Sequence, residues 1–126
     1  MQKWLMLVAG GVCGTVGRYV VSGLVSEWLG HEFPYGTLTV NTLGCLVIGL
    51  IASAAKHAVT LSHESQAFWM IGLLGAFTTF STMIYDSWRL LQDGQSWIAM
   101  TNILIAVIFG FLAIWLGSEL GGTLFR

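Results

Sequence analysis

Four long apolar runs dominate the chain, at about Trp4–Trp28, Leu38–Ala55, Phe68–Leu91 and Trp97–Leu120. Short polar connections separate them: Leu29–Thr37, which holds the only proline, Lys56–Gln66, and Gln92–Ser96 with Asp93-Gly94. A bilayer core of ~30 Å needs roughly 20 apolar residues in a helix. The runs approach that length, so the pattern predicts an all-α membrane protein, one domain over residues 1–126 with four transmembrane helices. Trp4, Trp28, Trp69, Trp88, Trp97 and Trp115 lie near run ends, where an amphipathic ring suits the headgroup level. The first run is expected to be a span and not a cleaved leader: it is too long, carries Arg18 and lacks an A-x-A-like site.

The third run interrupts its own pattern. Phe77-Thr78-Thr79-Phe80-Ser81-Thr82 crowds four hydroxyls and two aromatics near its midpoint. That midpoint would fall at the bilayer centre, where lipid satisfies no polar group. Such a cluster persists only if it faces protein or a water-filled path. The expectation is a mid-membrane site visited by an ion or small solute. Adjacent β-branched threonines, with hydroxyls competing for backbone carbonyls, weaken the helical ladder. Gly75 adds freedom one turn earlier, so a break is expected at Gly75–Thr78. Freed carbonyls suit a Na⁺-like cation, and the N-terminus of a half-helix suits an anion. The alternative is a continuous helix whose hydroxyls bond back to carbonyls.

Composition supports the membrane reading. Hydrophobic residues make up 56% and charged residues 9%, against about 25% charged in a soluble domain. A net charge of −1 argues against a basic nucleic-acid surface. Cys13 and Cys45 sit inside apolar runs, in neither a disulfide nor a metal spacing, and read as small buried side chains.

Four spans place both termini and the Lys56–Gln66 connection on one side. That side carries Lys3, Lys56 and Arg126; the other carries Arg89, and Arg18 if it reaches that face. So weak a positive bias fits either of two arrangements: termini in the cytoplasm, or insertion in both orientations with an antiparallel dimer. Four helices alone enclose little space for a path, which favours an oligomer.

Small residues line the helices. Gly10, Gly14 and Arg18 fall four apart on the first, and Asn41, Cys45, Gly49 and Ala52 share a face on the second. On the fourth, Asn102, Ala106, Gly110 and Gly117 align, with Ala113 beside them. Such faces let backbones approach closely in lipid, and packing accounts for nearly all of the glycines. Arg18, halfway along its run, either draws an anion into a vestibule or closes a structural ion pair or carbonyl clamp. Asn41 either joins helices or donates to a permeating anion. Phe80 is ordinarily a packing ring, yet an aromatic edge is electropositive and can face an anion without full charge.

Three pieces together resemble the signature segments of the Fluc family of bacterial fluoride channels. They are Gly14-Thr15-Val16-Gly17-Arg18-Tyr19, Gly36-Thr37-Leu38-Thr39-Val40-Asn41-Thr42-Leu43-Gly44 and Gly72-Leu73-Leu74-Gly75-Ala76-Phe77-Thr78-Thr79-Phe80-Ser81-Thr82. The resemblance in order, spacing and layout covers essentially the whole chain. It implies an antiparallel, dual-topology homodimer in the cytoplasmic membrane, with two fluoride pores and the third helix broken at mid-membrane. It also implies a structural, non-transported Na⁺ at the dimer centre, on the carbonyls of Gly75 and Thr78. Asn41 and Phe80 would line each pore with Ser81 and Thr82 nearby, and Arg18 would stand in the vestibule.

One position departs from the family pattern. A second phenylalanine follows three residues after the first in the family; here that position is Met83. Methionine lacks an electropositive ring edge, so conduction and not the fold is expected to suffer.

Two other functions compete. A small four-helix drug/proton antiporter needs an embedded carboxylate, and Asp86, two turns past the hydroxyls, comes nearest to that. A non-transporting assembly subunit would leave Arg18 and Thr78–Thr82 without a purpose. The sequence therefore points to a passive fluoride-selective channel. No ATP motif or catalytic carboxylate pair suggests an enzyme.

Overall fold

In the computed structural model, residues 1–57 and 62–125 are described; Arg126, counted above among the positive charges, lies outside them. Among the described residues all elements are helical, and four helices are long and apolar enough to cross a membrane: Gln2–Leu29, Tyr35–Lys56, His63–Gln92 and Ser96–Leu124.

Helix α1 (Gln2–Leu29) stops at Gly30, whose φ of 90° lies in the left-handed region open to glycine. Helix α2 (Tyr35–His57) begins three residues before the apolar run does. Pro34 explains the early start: its carbonyl accepts from Leu38 N–H at 3.1 Å, so the proline stands at the helix entrance, where its missing N–H costs nothing.

The third span is composite. It opens on α3 (His63–Gln66), whose N-cap Ser62 accepts from Ser65 N–H. It continues as a π-helix, Ala67–Leu74, then one turn of α4 (Gly75–Phe77). After two extended residues it resumes as α5 (Phe80–Gln92). Helix α6 (Ser96–Leu124) forms the fourth span.

Two helix pairs organise the packing. Helix α2 lies along α6, and α1 lies along the π-helix and α4. The α2–α6 pair is held close by reciprocal glycines. A side chain at Gly49 would overlap the Ile114 carbonyl, and one at Gly117 would overlap the Leu46 carbonyl. Glycine is what allows backbone to touch backbone in a helix pair that has no hydrophobic effect to drive it in lipid. The buried face of α2 runs Thr37, Val40, Gly44, Gly49 and Ser53. It shares Gly49 with the expected stripe of Asn41, Cys45, Gly49 and Ala52, but Asn41 and Cys45 are only half-buried and Ala52 is exposed.

Few large residues are buried. Leu74 and Val40 are enclosed, whereas Trp28, Trp97, Phe111 and Tyr19 are among many exposed apolar side chains. A subunit so apolar outside is suited to lipid and to other copies.

Candidate functional site

The site forms where the third span loses its helix. Thr78 (φ −89°, ψ 156°) and Thr79 (φ −155°, ψ 113°) are extended. Gly75 remains helical (φ −64°, ψ −33°), so the interruption falls after it, at the threonines. Thr78 is the last residue still tied to the preceding turn: its N–H (3.0 Å) and its Oγ1–H (2.9 Å) both reach the Leu74 carbonyl. This is the competition of hydroxyl with backbone that weakens helices.

Asn41 fixes the break from the second helix. Its Oδ1 accepts from Thr79 N–H at 2.7 Å, and its Nδ2 donates to the Thr79 carbonyl at 3.0 Å. One amide thereby satisfies both backbone groups of an extended residue, as a neighbouring strand would. Gly44, one turn along α2, makes room: a side chain there would overlap Thr78 Cγ2. Thr79 in turn caps α5, its Oγ1 accepting from Thr82 N–H (3.2 Å) and donating to Thr82 Oγ1 (2.9 Å). A hydroxyl accepting from the third helical residue is a normal N-cap.

These bonds divert two N–H groups. In an unbroken helix Thr79 N–H would meet the Gly75 carbonyl, and Thr82 N–H the Thr78 carbonyl. Here they bond Asn41 and Thr79 Oγ1 instead. The carbonyls of Gly75 and Thr78 lose these helical partners, and those of Ala76 and Phe77, just ahead of the new helix start, lose theirs as well; Gly75 itself is not deformed.

Helix α5 has two distinct faces. Thr79, Met83, Asp86 and Ser87 point inward, while Phe80, Ser81, Ile84, Tyr85 and Trp88 are exposed. Phe80 is 73% exposed and Met83 7%. Residues three apart on a helix are about 60° apart around its axis, so these two stand on neighbouring faces either side of the subunit's boundary.

Arg18 is half-buried in α1 and lines a cavity of about 620 Å³ that also touches Thr15, Thr37, Thr79 and Thr82. The fold thus joins Arg18 to the hydroxyl cluster, which its sequence position alone does not do. Among the described residues Arg18 has no ion-pair or hydrogen-bond partner, so the structural clamp is not found within the subunit. A second cavity of about 610 Å³ adjoins it, lined by Ser22, Ser26, His31, Asp86 and Arg89. Here Thr37 Oγ1 donates to Asp86 Oδ2 at 2.7 Å. Thr37 is in the first turn of α2, so the carboxylate also gains from that helix's positive end.

The family model described as CrcB-like protein, Camphor Resistance (CrcB), matches residues 5–118. The chain belongs to the CrcB-like family. Relatives in the family include a "Fluoride-specific ion channel FluC" of Solidesulfovibrio magneticus, 40% identical over 121 residues, covering 96% of this chain and 97% of the relative. One of Hydrogenovibrio crunogenus is 42% identical over 124 residues, covering 96% and 94%. One of Geobacter sulfurreducens is 41% identical over 117 residues, covering 93% and 94%. The CrcB-like match spans all the spans that build the break, the Asn41 clamp and the Arg18 cavity.

Some polar partners carried no signal in the sequence. Ser22 and Ser26 are not singled out by the sequence, and Thr37 reads there as the end of the Leu29–Thr37 connection. Asp86 was weighed only as an exchanger's carboxylate. Asn102 stood in a stripe of small residues, yet it donates from Nδ2 to Ser87 Oγ at 2.9 Å in full burial. A buried amide in a lipid-spanning helix is the available signal, since it must find a partner.

Proposed function

We propose that this protein is a fluoride-selective channel of the cell membrane, passive and not enzymatic. The observation that carries the reading is the Asn41-locked break, which puts the N-terminus of α5 beside Thr79 and Thr82, two hydroxyls that line the Arg18 cavity. Relatives about 40% identical over nearly their whole length carry the name fluoride-specific ion channel. A helix N-terminus offers unpaired N–H groups and a partial positive charge, which suits a small anion. A site of hydroxyls and amides fits that ion better than it fits an apolar terpenoid such as camphor. Neutral hydrogen fluoride crosses bilayers and dissociates inside. A negative interior then drives the anion out, by ~2.3 kcal/mol per charge per 100 mV.

Asn41, Phe80, Met83, Ser81 and Thr82 line the path in this reading, and Arg18 raises the anion concentration in the vestibule. Asn41 spends its oxygen and one N–H on Thr79, which leaves a second N–H for fluoride. The drug/proton antiporter has no support in the family comparison, and Asp86 already accepts from Thr37. The test is flux from liposomes. Fluoride should leave without ATP or a proton gradient while chloride is retained. Equal rates for the two ions, or obligate coupling to protons, would sink the reading.

The functional unit in this proposal is an antiparallel homodimer, with the break near the bilayer centre. The exposed Phe80 ring is unpartnered in its own subunit, and the weak charge bias permits both orientations. The Gly75 and Thr78 carbonyls hold a Na⁺ between the copies without side-chain charge. Thr78→Ala should therefore keep the Na⁺ dependence of flux as long as the backbone stays extended. Single-cysteine labelling from each side of the membrane should find every site reachable from both. One uniform orientation would rule out the antiparallel dimer.

A further inference from the structure

Helix α5 is a short, detached lever. It has 13 residues and is cut from the rest of its span by extended Thr78 and Thr79. Its packing partners are α6 and α2. Three side-chain contacts with α2 and α6 hold its inward face. Asn41 grips Thr79 at the start, and Thr37 grips Asp86 two turns on. Both come from α2. The third comes from α6: Asn102 Nδ2 donates to Ser87 Oγ (2.9 Å), and Ser87 Oγ–H donates to the Met83 carbonyl (2.9 Å).

The Asn102 contact differs from the other two in its burial. Asn102 is 1% exposed and Ser87 2%, whereas the other bonds are only part-buried. The hydroxyl has one proton, which goes to Met83, so it must accept from the amide. The chain of donors therefore runs in one direction, from α6 into the backbone turn that carries position 83. A one-residue rotational slip of α5 would turn it by about 100°. A turn in either sense would carry Ser87 away from Asn102, and Phe80, only about 20° from Ser87 around the axis, would move with it; the Asn102 amide would be stranded in an apolar interior. Leaving a buried polar group unpaired is costly, so this bond selects one rotation where apolar packing against α6 alone would tolerate several.

We propose that Asn102 is a positioning residue for fluoride passage. Through Ser87 it fixes the rotation of α5, and so sets where Phe80, Ser81 and the N-terminus of α5 stand in the path. This rests on the reading that α5 lines the path.

The experiment compares the parent with Asn102→Leu, Ser87→Ala and the double variant as dimers in liposomes. Thermal unfolding in detergent, the fluoride rate per active channel and the fluoride-to-chloride permeability ratio are read together. Each single variant should lower the rate. The double variant removes both polar partners, so its unfolding midpoint should return close to the parent's. Its rate per channel should stay down by roughly fivefold, the factor one such bond commands, and its permeability ratio should fall. Rate and ratio are read only on channels that conduct, so poor folding of a variant does not mask the result. Parental rate and parental ratio in Asn102→Leu or in the double variant would overturn the proposal and leave Asn102 as packing glue. Phe80→Ala serves as the control on the path. If it conducts as the parent does, α5 does not line the path and both readings fall. If it is impaired while the Asn102 variants are not, the clamp alone falls.

Discussion

Asn41→Leu is expected to abolish fluoride flux and to lower stability at the same time. Leucine matches the amide in size and shape but offers no polar atoms. Thr79 N–H and C=O, now bonded at 2.7 and 3.0 Å, would both lose their partner. An unpaired buried backbone group costs about 1–3 kcal/mol. Relief is available to the chain if Thr78 and Thr79 return to helix, which would restore N–H groups to the Gly75 and Thr78 carbonyls. That relief erases the break itself. The N-terminus of α5 and the carbonyls proposed for Na⁺ disappear together, so the loss of flux should exceed roughly a hundredfold, the factor that two such bonds carry. Asn41→Asp separates the two roles. It keeps an acceptor for Thr79 N–H but, when ionised, has no donor and places a negative charge on an anion's path. It should fold better than Asn41→Leu and conduct as poorly. Flux per reconstituted dimer, beside thermal unfolding, checks both. A parental rate in Asn41→Leu would show that the clamp is not needed for conduction.

Met83→Phe is expected to raise flux severalfold over the parent. Position 83 is on the inward face of α5, one turn beyond Thr79 and beside the Asn102–Ser87 bond. Phe80, about 60° away around the helix, is exposed. A ring at 83 would present an electropositive edge. Methionine presents none, and its flexible side chain can occlude the space it occupies. The opposing effect is steric. Met83 is 7% exposed, and enlarging a buried side chain commonly costs about 1–3 kcal/mol. That penalty changes how many channels fold, not how each conducts, so efflux is compared at equal density of folded dimer. An unchanged or reduced rate per dimer would remove position 83 from the conduction path.

Which features were legible before the fold was known follows from what each depends on. The four spans depend on length and hydropathy, local properties of the chain, and they lie close to where the apolar runs end. Where the ends differ, the cause is again local: Pro34 starts α2 early and Ser62 caps α3. The hydroxyl cluster was legible because threonines side by side in an apolar run are anomalous wherever the helix goes. The place of the break was legible only in part. The expected break at Gly75–Thr78 includes Thr78, which is extended, but Gly75, expected to add freedom, stays helical, because glycine permits a distortion without requiring one. Asn41 requires it at Thr79, from 38 residues away.

The same distinction separates the remaining site residues. Sequence by itself determined an all-helical membrane chain, the residues that could meet an ion, and the family to which they belong. Only the tertiary structure decided that Arg18 shares a cavity with Thr79 and Thr82, that Asp86 bonds Thr37, and that Asn102 reaches Ser87. The rotation of α5, which exposes Phe80 and encloses Met83, belongs with these. Hydropathy is written along one helix and can be read there. A hydrogen bond between helices depends on which faces meet, and in lipid that choice is made by close-packed glycines and a few buried amides.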